Sequence, residues 1–360
     1  MSTYLDPLHD VIRYETRLGA ACCGDSLDLL ARLPDGSVSL VMTSPPFALL
    51  RQKEYGNLEQ HEYIDWLAKF AALVRQKLRD DGSFVLDLGG AYQRGAPVRS
   101  LYQFRTLIRF CDDLGFFLAE EFYWNNPSKL PSPIEWVNKR KLRTKDSVNT
   151  VWWLSKTEWP KANVSNVLAE YSPRMRKLLE NPDAFYTPKA RPSGHDIGKG
   201  FGKDNGGAIP SNLLSFPNSE SNGVYLRGCK DVGAKGHPAR FPAKLPEFFI
   251  KFLTEPGDLV VDIFAGSNTT GQVAQSLNRR WLSFELELEY VAASVFRFMP
   301  EGSTDETLKL AHQQILSKVR LHLAEFESQK ELFDLGDTVA PESERESSGG
   351  GVLAYRTPVP

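Results

Sequence analysis

The sequence predicts an α/β fold in which a sheet of mainly parallel strands is flanked by helices. Short apolar runs of the kind that form buried strands alternate along the chain with longer segments whose apolar residues recur at helical spacing. Several of these runs end abruptly in a carboxylate or in a turn of small residues and prolines. Because ligands of open α/β sheets bind beside the carboxyl ends of strands, these endings are the first places to look for a functional site.

The predicted elements follow one another as repeated strand, helix, strand units. Strands are predicted at residues 18–23, 38–42, 83–90, 116–124, 148–155, 259–264 and 281–285. Helices are predicted at residues 27–31, 60–78 and 98–114, up to residue 252, from the turn at 265–271 to about 277, and from about 290. Residues 1–17 are polar and are predicted to be irregular.

Length and composition are those of an ordinary globular protein. With 360 residues, 41% of them hydrophobic and 24% charged, the chain holds one large or two modest domains, and its net charge of -2 favours no class of partner. It has no apolar run near the ~20 residues of a membrane span and no signal-peptide pattern, so we expect a cytoplasmic protein. The four cysteines lack C-x-x-C spacing, which disfavours a metal site or a disulfide framework.

The strand at residues 38–42 is followed by Thr-Ser-Pro-Pro-Phe at 43–47. Two prolines enforce a rigid, extended turn. The Ser44 hydroxyl and the fixed carbonyls of this turn could accept hydrogen bonds from an exocyclic amino group, while the Phe47 ring stacks on a flat molecule. A plain loop with Phe47 packed inward fits these residues equally well.

A second candidate site lies near the C-terminus. The strand at 259–264, a turn rich in small residues at 265–271, a helix and a strand ending in Glu285 form a pattern that binds nucleosides. Gly266 would let the backbone approach the ligand, and Glu285 would accept ribose hydroxyls. The turn has neither the lysine of a P-loop nor the G-x-G-x-x-G fingerprint. Asp25 could meet the same ligand or simply cap the next helix.

Two regions favour contact with nucleic acid. Residues 129–145 contain six Lys or Arg and one acid, together with Trp136, which suits a phosphate contact as well as it suits a solvated loop. Residues 161–240 contain twelve Lys or Arg against seven Asp or Glu, and they are rich in Gly, Pro, Ser and Asn with interspersed aromatics. We interpret this second region as a separate recognition module.

These motifs together resemble those of a known enzyme family. Phe-Ala-Gly before Ser-Asn-Thr-Thr at 264–270, Glu285, and Thr-Ser-Pro-Pro-Phe at 43–47 look like motifs I, II and IV of the amino-methyltransferases that use S-adenosylmethionine. Their order resembles the circularly permuted β class of DNA methyltransferases, and it is closest to the N4-cytosine enzymes of the PvuII type. The resemblance covers roughly residues 20–300. Many members carry glycine where this chain has Asn268.

The resemblance implies a Rossmann-like sheet of seven strands flanked by helices, in which N-terminal strands complete a cofactor site begun near the C-terminus. It divides the chain into a catalytic half at residues 1–160, a target-recognition region at 161–235 and a cofactor-binding half at 236–326. Residues 327–360 are acidic and rich in Ser and Gly, and are predicted to form a disordered tail.

The resemblance also assigns roles to individual residues. The predicted S-adenosylmethionine contacts are Asp25, Phe241, Asp262, Phe264, Gly266, Ser267, Asn268, Thr269 and Glu285. The predicted catalytic residues are Ser44, Pro45, Pro46, Phe47 and Asp87, although a structural role fits Asp87 as well. The predicted DNA contacts are Lys139, Arg140, Lys141, Arg191, His195 and Asn205.

The expected activity is methylation of the N4 amino group of a cytosine flipped out of double-stranded DNA, within a short palindrome. A restriction endonuclease acting on the same site and a homodimer are further expectations, as is a bacterial cytoplasm with the nucleoid as the place of action. Cytosine C5 methylation is disfavoured because no cysteine follows a proline in a suitable turn. N6-adenine methylation is the nearer rival, but those enzymes typically have Asp or Asn at the position of Ser44 and Tyr at that of Phe47. A DNA-binding module without catalysis is the alternative from a different class.

Overall fold

The computed structural model describes residues 4–47, 60–93, 95–181, 202–219, 223–300 and 302–323. Within these ranges, ten strands form one sheet. The strands are β1 Ile12–Glu15, β2 Gly19–Cys23, β3 Val38–Thr43, β4 Leu78–Leu88, β5 Phe117–Asn125, β6 Val148–Ser155, β7 Leu213–Ser215, β8 Leu259–Asp262, β9 Arg280–Glu285 and β10 Leu321–His322.

The strand order across the sheet is β10-β1-β2-β9-β8-β3-β4-β6-β5-β7. Its seven central strands, β2 to β5 in that order, correspond to the apolar runs that the sequence predicts as strands. Neighbours among β2, β9, β8, β3 and β4 pair in parallel, whereas β6 is antiparallel to both β4 and β5. The predicted α/β class and central sheet are therefore confirmed, and three strands extend the sheet at its edges.

Helices cover both faces of the sheet. They are α1 Ser26–Arg32, α2 Gln60–Lys77, α3 Tyr102–Ile108, α4 Pro173–Glu180, α5 Val224–Val232, α6 Lys244–Leu253, α7 Thr269–Ser276, α8 Leu288–Ser294 and α9 Asp305–Leu316. Helices α1 to α3 pack on one face around the buried side chains of Phe84 and Trp152. Helices α5 to α9 pack on the other face around Phe249 and Trp281. The result is a three-layer arrangement with two apolar cores.

Two predictions for local structure were wrong. Residues 1–17 are not wholly irregular, because β1 pairs with β2 and places Ile12 and Tyr14 in the core. The predicted helix at 98–114 is shorter: α3 begins at Tyr102 and continues as a π-helical turn, Arg109–Asp113. The short alternation of apolar and polar residues in β1 gains its stability from the neighbouring strand, which a local pattern does not show.

Helix α5 lies within the predicted recognition region but packs on the face of the sheet that α6 to α9 cover. Gly228 faces Phe296 so closely that a Cβ atom would lie 2.7 Å from the ring, and Tyr225 and Cys229 are buried in the second core. The proposed boundary at residue 235 remains a prediction. None of the helices in the described ranges is both long enough and apolar enough to span a bilayer.

Candidate active site

A cavity of about 720 Å³ opens at the carboxyl edge of the central strands. Strands β3 and β8 are parallel neighbours there, but the chain continues from β3 to β4 on one side and from β8 to β9 on the other. Such a reversal of strand order leaves a crevice between the two following loops, and this is where open α/β sheets bind ligands. The topology therefore brings together the two candidate sites that the sequence separates.

The turn after β3 contributes Ser44, Pro45, Pro46 and Phe47 to the cavity wall. The Phe47 ring lies against Gly89, where a Cβ atom would come within 2.3 Å of the ring, so a side chain at residue 89 would displace the aromatic ring. Glycine after β4 is therefore what allows the ring to occupy its position beside the turn.

Ser44, Asp87 and Asn149 form a hydrogen-bonded row in this wall. Ser44 Oγ donates to Asp87 Oδ2 over 3.0 Å, and Asn149 Nδ2 donates to Asp87 Oδ1 over 3.1 Å. Because Ser44 donates its only proton to Asp87, its oxygen lone pairs remain available to accept from a ligand. The row therefore presents an acceptor to the cavity.

Asp87 is a buried acid at the end of β4, with 2% of its surface exposed. Burial raises the pKa of its carboxyl from 3.8 to about 6, although the hydrogen bonds from Ser44 and Asn149 favour the charged form. The group is therefore mainly ionised at neutral pH, and it becomes protonated in mild acid.

The loop after β8 forms the other wall. Gly266 adopts a left-handed backbone with φ +52°, and a Cβ atom there would lie 3.0 Å from the His237 ring. Glu285, at the end of β9, accepts from the backbone N–H groups of Gly266 over 2.8 Å and Glu287 over 3.0 Å. Burial raises the pKa of the Glu285 carboxyl. With a further backbone hydrogen bond from Leu286, the carboxylate still keeps one of its four acceptor positions.

The remaining predicted cofactor contacts divide into two sets. Those that line the cavity are Asp25, Phe241, Phe264, Ser267 and Thr269. Asp25 also caps α1 by accepting from the Leu27 N–H over 2.7 Å, so both interpretations of this residue fit. Asp262 and Asn268 are each 1% exposed and lie behind the wall that the described residues form.

Asp262 ties the two walls together. Its carboxylate accepts from Thr43 Oγ1 over 2.7 Å, from Thr270 Oγ1 over 2.6 Å and from the Phe264 N–H over 3.1 Å. Burial raises its pKa. Thr43 precedes the Ser-Pro-Pro-Phe turn and Thr270 lies in the first turn of α7, so this carboxylate fixes the distance between the Ser-Pro-Pro-Phe turn and the loop after β8.

Sequence reasoning missed several residues of the site. Asn149 is the second residue of the antiparallel strand β6 and reaches the cavity because that strand starts at the carboxyl edge of its neighbour β4. Arg297 donates from Nε to the Ser267 carbonyl over 2.6 Å and from Nη2 to Ser267 Oγ over 3.1 Å. Trp66 lies on the apolar face of α2 and contacts the Phe264 ring. Of these three residues, only Trp66 could have been found from the sequence, because the helical spacing of the apolar residues predicts that its face of α2 is buried.

The wall residues fit a ligand that carries both a nucleoside and a reactive group. The same cavity is lined by the Glu285 carboxylate, by the Phe241 ring and by Ser44. An acid can accept hydrogen bonds from a diol, an aromatic ring can pack on a flat base, and the Ser44 hydroxyl can accept from an amino group. A methyl donor held at Glu285 would thus share one continuous space with a group held at Ser44.

The four predicted DNA contacts that the structure describes lie outside the cavity lining. Lys139 and Arg140 pair with Glu135 over 3.3 Å and 3.0 Å, and the Arg140 guanidinium lies 5.2 Å from the centre of the Trp136 ring. Lys141 and Asn205 are exposed. Arg191 and His195 lie outside the described residues.

Comparison with known proteins places this geometry in a family. A family model described as DNA methylase, of the N6 and N4 type, matches residues 38–296. The type II methyltransferase M.PvuII of Proteus hauseri is 66% identical over 310 residues, which are 86% of this chain and 92% of that protein. The DNA adenine methyltransferase YhdJ of Escherichia coli K12 is 24% identical over 76% of this chain and 80% of its own length.

A solved structure agrees with this assignment. The cytosine-N4-specific PvuII DNA methyltransferase superimposes with a TM-score of 0.73 at 56% identity, and the match covers 87% of this chain and 98% of that one. The family match spans both walls of the cavity, from β3 with its Ser-Pro-Pro-Phe turn to α8. The chain therefore belongs to the N6/N4 DNA methylase family.

Proposed function

We propose that this protein transfers a methyl group from S-adenosylmethionine to the N4 amino group of a cytosine in double-stranded DNA. One observation carries the proposal: the Ser44 acceptor, supported by Asp87, shares its cavity with the loop and carboxylate of a nucleoside site. The 66% identity to a type II methyltransferase and the match to a cytosine-N4-specific structure support the same activity.

S-adenosylmethionine is the methyl donor of this family, and it supplies a methyl group activated by a sulfonium. In our proposal, the Glu285 carboxylate accepts from the ribose hydroxyls, while Phe241 and Asp25 lie near the adenine. The methionine end meets Phe264 and the loop residues Gly266, Ser267 and Thr269, which line the cavity. Asp262 and Asn268, whose side chains point away from the lining, act on this site indirectly.

The Ser-Pro-Pro-Phe turn can activate an amino group that is otherwise a weak nucleophile. The lone pair of the cytosine N4 nitrogen is delocalised into the ring, so the amino group attacks poorly. Ser44 Oγ and the Pro45 carbonyl accept from its two N–H groups and favour a tetrahedral nitrogen with a localised lone pair. The N–C bond then forms as the C–S bond breaks, and the nitrogen loses one proton afterwards. Positioning and fixed dipoles supply the acceleration.

Asp87 supports this step through Ser44. As a carboxylate it accepts the Ser44 proton and so keeps the hydroxyl oxygen turned toward the amino group. Asp87 is also the base that we propose for the proton that leaves N4, with Ser44 as the relay between them. Pro46 keeps the turn rigid.

The target base must leave the duplex to reach this cavity, because the N4 group is inaccessible inside stacked base pairs. Phe47 is the stacking partner that we propose for the flipped cytosine. Its ring is already held in place against Gly89, so little conformational freedom is lost when the base arrives.

The identity of the product tests the proposal against its alternatives. Duplex DNA incubated with the protein and S-adenosylmethionine, then digested to nucleosides and analysed by mass spectrometry, should contain N4-methyldeoxycytidine. N6-methyldeoxyadenosine as the sole product would establish the adenine alternative, which the likeness to YhdJ keeps in view. DNA binding with no methylated nucleoside would leave only a binding module.

We further propose that sequence choice resides in residues 161–235, whereas general affinity comes from the basic loop at 129–145. Lysine and arginine bind phosphates without reading bases. Replacing Lys139, Arg140 and Lys141 by Ala should lower affinity about equally for cognate and unrelated duplexes. It should also reduce the slope of log affinity against log salt concentration by roughly 0.9 for each phosphate that the variant no longer neutralises.

Substitutions at Arg191, His195 or Asn205 should instead reduce the difference in affinity between cognate and unrelated DNA. Competition binding at two salt concentrations measures both effects. The division is wrong if the basic-loop variant alone changes sequence preference.

Several broader features also belong to this proposal. The catalytic turn precedes the cofactor loop along the chain, which supports the circularly permuted β class, and the division at residues 160, 235 and 326 follows from it. The relatives named type II methyltransferases support a role in restriction-modification. A cognate endonuclease acting on the same short palindrome, a homodimer and action on nucleoid DNA in a bacterial cytoplasm remain predictions.

A further inference from the structure

We infer that Asn268 is a positioning residue: its side chain holds the cofactor loop in its binding shape from inside the protein and does not touch the cofactor. The inference rests on the proposed cofactor site. It concerns a residue that is 1% exposed and that lies behind the cavity wall of the described residues.

The backbone of the loop needs support. Both Gly266 and Asn268 have left-handed backbones, with φ +52° and φ +56°. Glycine tolerates this conformation freely, and asparagine does so better than most other residues. Two such residues within one short loop leave it with many alternative shapes when nothing fixes them. A loop that must present its backbone to a ligand benefits from being fixed before the ligand arrives.

The side chain of Asn268 supplies three hydrogen bonds. Oδ1 accepts from the Gly271 N–H over 3.1 Å, which caps α7, and from Ser283 Oγ over 2.5 Å. Nδ2 donates to Tyr14 Oη over 2.8 Å. Gly271 is what makes room for this arrangement, since a Cβ atom there would lie 2.2 Å from Asn268 Oδ1.

Beyond Asn268, the hydroxyl hydrogens all point the same way: Tyr14 donates to Ser294, and Ser294 donates to a backbone carbonyl. Ser294 Oγ donates to the Val291 carbonyl over 2.8 Å, so the hydrogen between Tyr14 Oη and Ser294 Oγ, 2.7 Å apart, must come from the tyrosine. Tyr14 Oη is then free to accept from Asn268. Burial raises the pKa of Tyr14, which keeps the phenol protonated as this chain of hydrogen bonds requires.

This network joins the loop to strands and a helix that are distant in sequence. Tyr14 lies on β1, Ser294 on α8, and Ser283 on β9 two residues before Glu285. All three side chains are buried. Asn268 therefore fixes the loop relative to β9, the strand that carries the proposed ribose-binding carboxylate. The distance between the loop and Glu285 is thereby held constant.

The test is calorimetric binding of S-adenosylmethionine to the full chain. Asn268→Gly keeps the left-handed backbone but removes all three side-chain bonds, and it should weaken binding about tenfold or more. Tyr14→Phe removes only the far end of the network and should weaken binding by about threefold to tenfold. In both variants, affinity for DNA in the absence of cofactor should stay within about twofold of wild type, because the network supports only the cofactor loop.

Tyr4→Phe is the matched control. Tyr4 is a buried tyrosine whose hydroxyl donates to the Leu18 carbonyl over 3.0 Å, away from the loop. If the network were merely structural, Tyr4→Phe and Tyr14→Phe would both lower the melting temperature and neither would change cofactor affinity. The double variant of Asn268→Gly with Tyr14→Phe should bind no worse than Asn268→Gly alone, because both changes cut the same link.

The inference is overturned if folded Tyr14→Phe and Asn268→Gly both bind S-adenosylmethionine within twofold of wild type. A single result from Tyr14→Phe suffices should Asn268→Gly fail to fold. A wild-type chain that binds no S-adenosylmethionine would overturn the proposed cofactor site, and the inference with it.

Discussion

Replacing Ser44 by alanine should lower the rate of methyl transfer by a factor on the order of 10² to 10³, the usual effect of losing one transition-state hydrogen bond. The hydroxyl is the acceptor that the cavity offers to the amino group, and its own proton is committed to Asp87. Single-turnover assays with saturating S-adenosylmethionine measure the chemical step directly. Affinity for the cofactor should stay within a few-fold of wild type, because the proposed partner of Ser44 is the base.

Ser39→Ala is a suitable control for this experiment. Ser39 is a buried serine on β3, the strand that leads into the turn, and it lies outside the cavity lining of the described residues. Both variants delete one hydroxyl from the same stretch of chain, so a general effect on folding would appear in each. Turnover of Ser44→Ala within about threefold of wild type would remove Ser44 from the mechanism.

Asp87→Asn should lower turnover by on the order of 10², since an amide is a weaker acceptor for the Ser44 proton than a carboxylate. It should also remove the acid limb of the pH profile. Burial raises the pKa of Asp87 to about 6, so wild-type turnover should fall as the pH drops below about 6 and the carboxylate becomes protonated. An acid limb that persists unchanged in Asp87→Asn would assign the titration to another group.

The same pKa predicts that Asp87→Asn, although it lowers turnover, becomes more stable relative to the wild type as the pH rises. A carboxyl whose pKa is higher in the folded chain than in the unfolded chain stabilises the fold below the unfolded value, and loses that contribution as the pH rises through about 6. From about pH 3 to about pH 7, the unfolding free energy of the wild type should therefore fall relative to that of Asp87→Asn by up to about 3 kcal/mol. Urea denaturation at the two pH values measures this difference. A constant difference would mean that Asp87 titrates normally.

The centre of the sheet was predictable because its middle strands are buried along their whole length. Strands β3 and β8 contain the continuous apolar runs 40–42 and 259–261, and such a run carries its own signal. The edge strands were not predictable for the opposite reason. Strand β10 has two residues and pairs with β1, and β7 has three residues and pairs with β5, so only the partner defines them.

The candidate site was predictable where strand ends carry it. Ser44, Asp87, Gly266 and Glu285 all follow or end a parallel strand, and parallel strands bring their carboxyl ends to one edge. The direction of a side chain was not predictable. Asn268 belongs to the predicted loop, but its amide points inward because it bonds Tyr14 and Ser283, which lie on strands distant in sequence.

The interleaving of the two ends of the chain in the sheet has a consequence for biosynthesis. Val41 pairs with Val261, and Ala20 pairs with Leu282, so neither N-terminal strand gains its central neighbour until the ribosome has made β8 and β9. At about 5–20 residues per second, β3 waits roughly ten to forty seconds for that partner. During this interval its apolar surface is incompletely covered, and contacts between residues so far apart in sequence form slowly. The enzyme therefore becomes active only after β8 and β9 have been translated and have paired with the N-terminal strands.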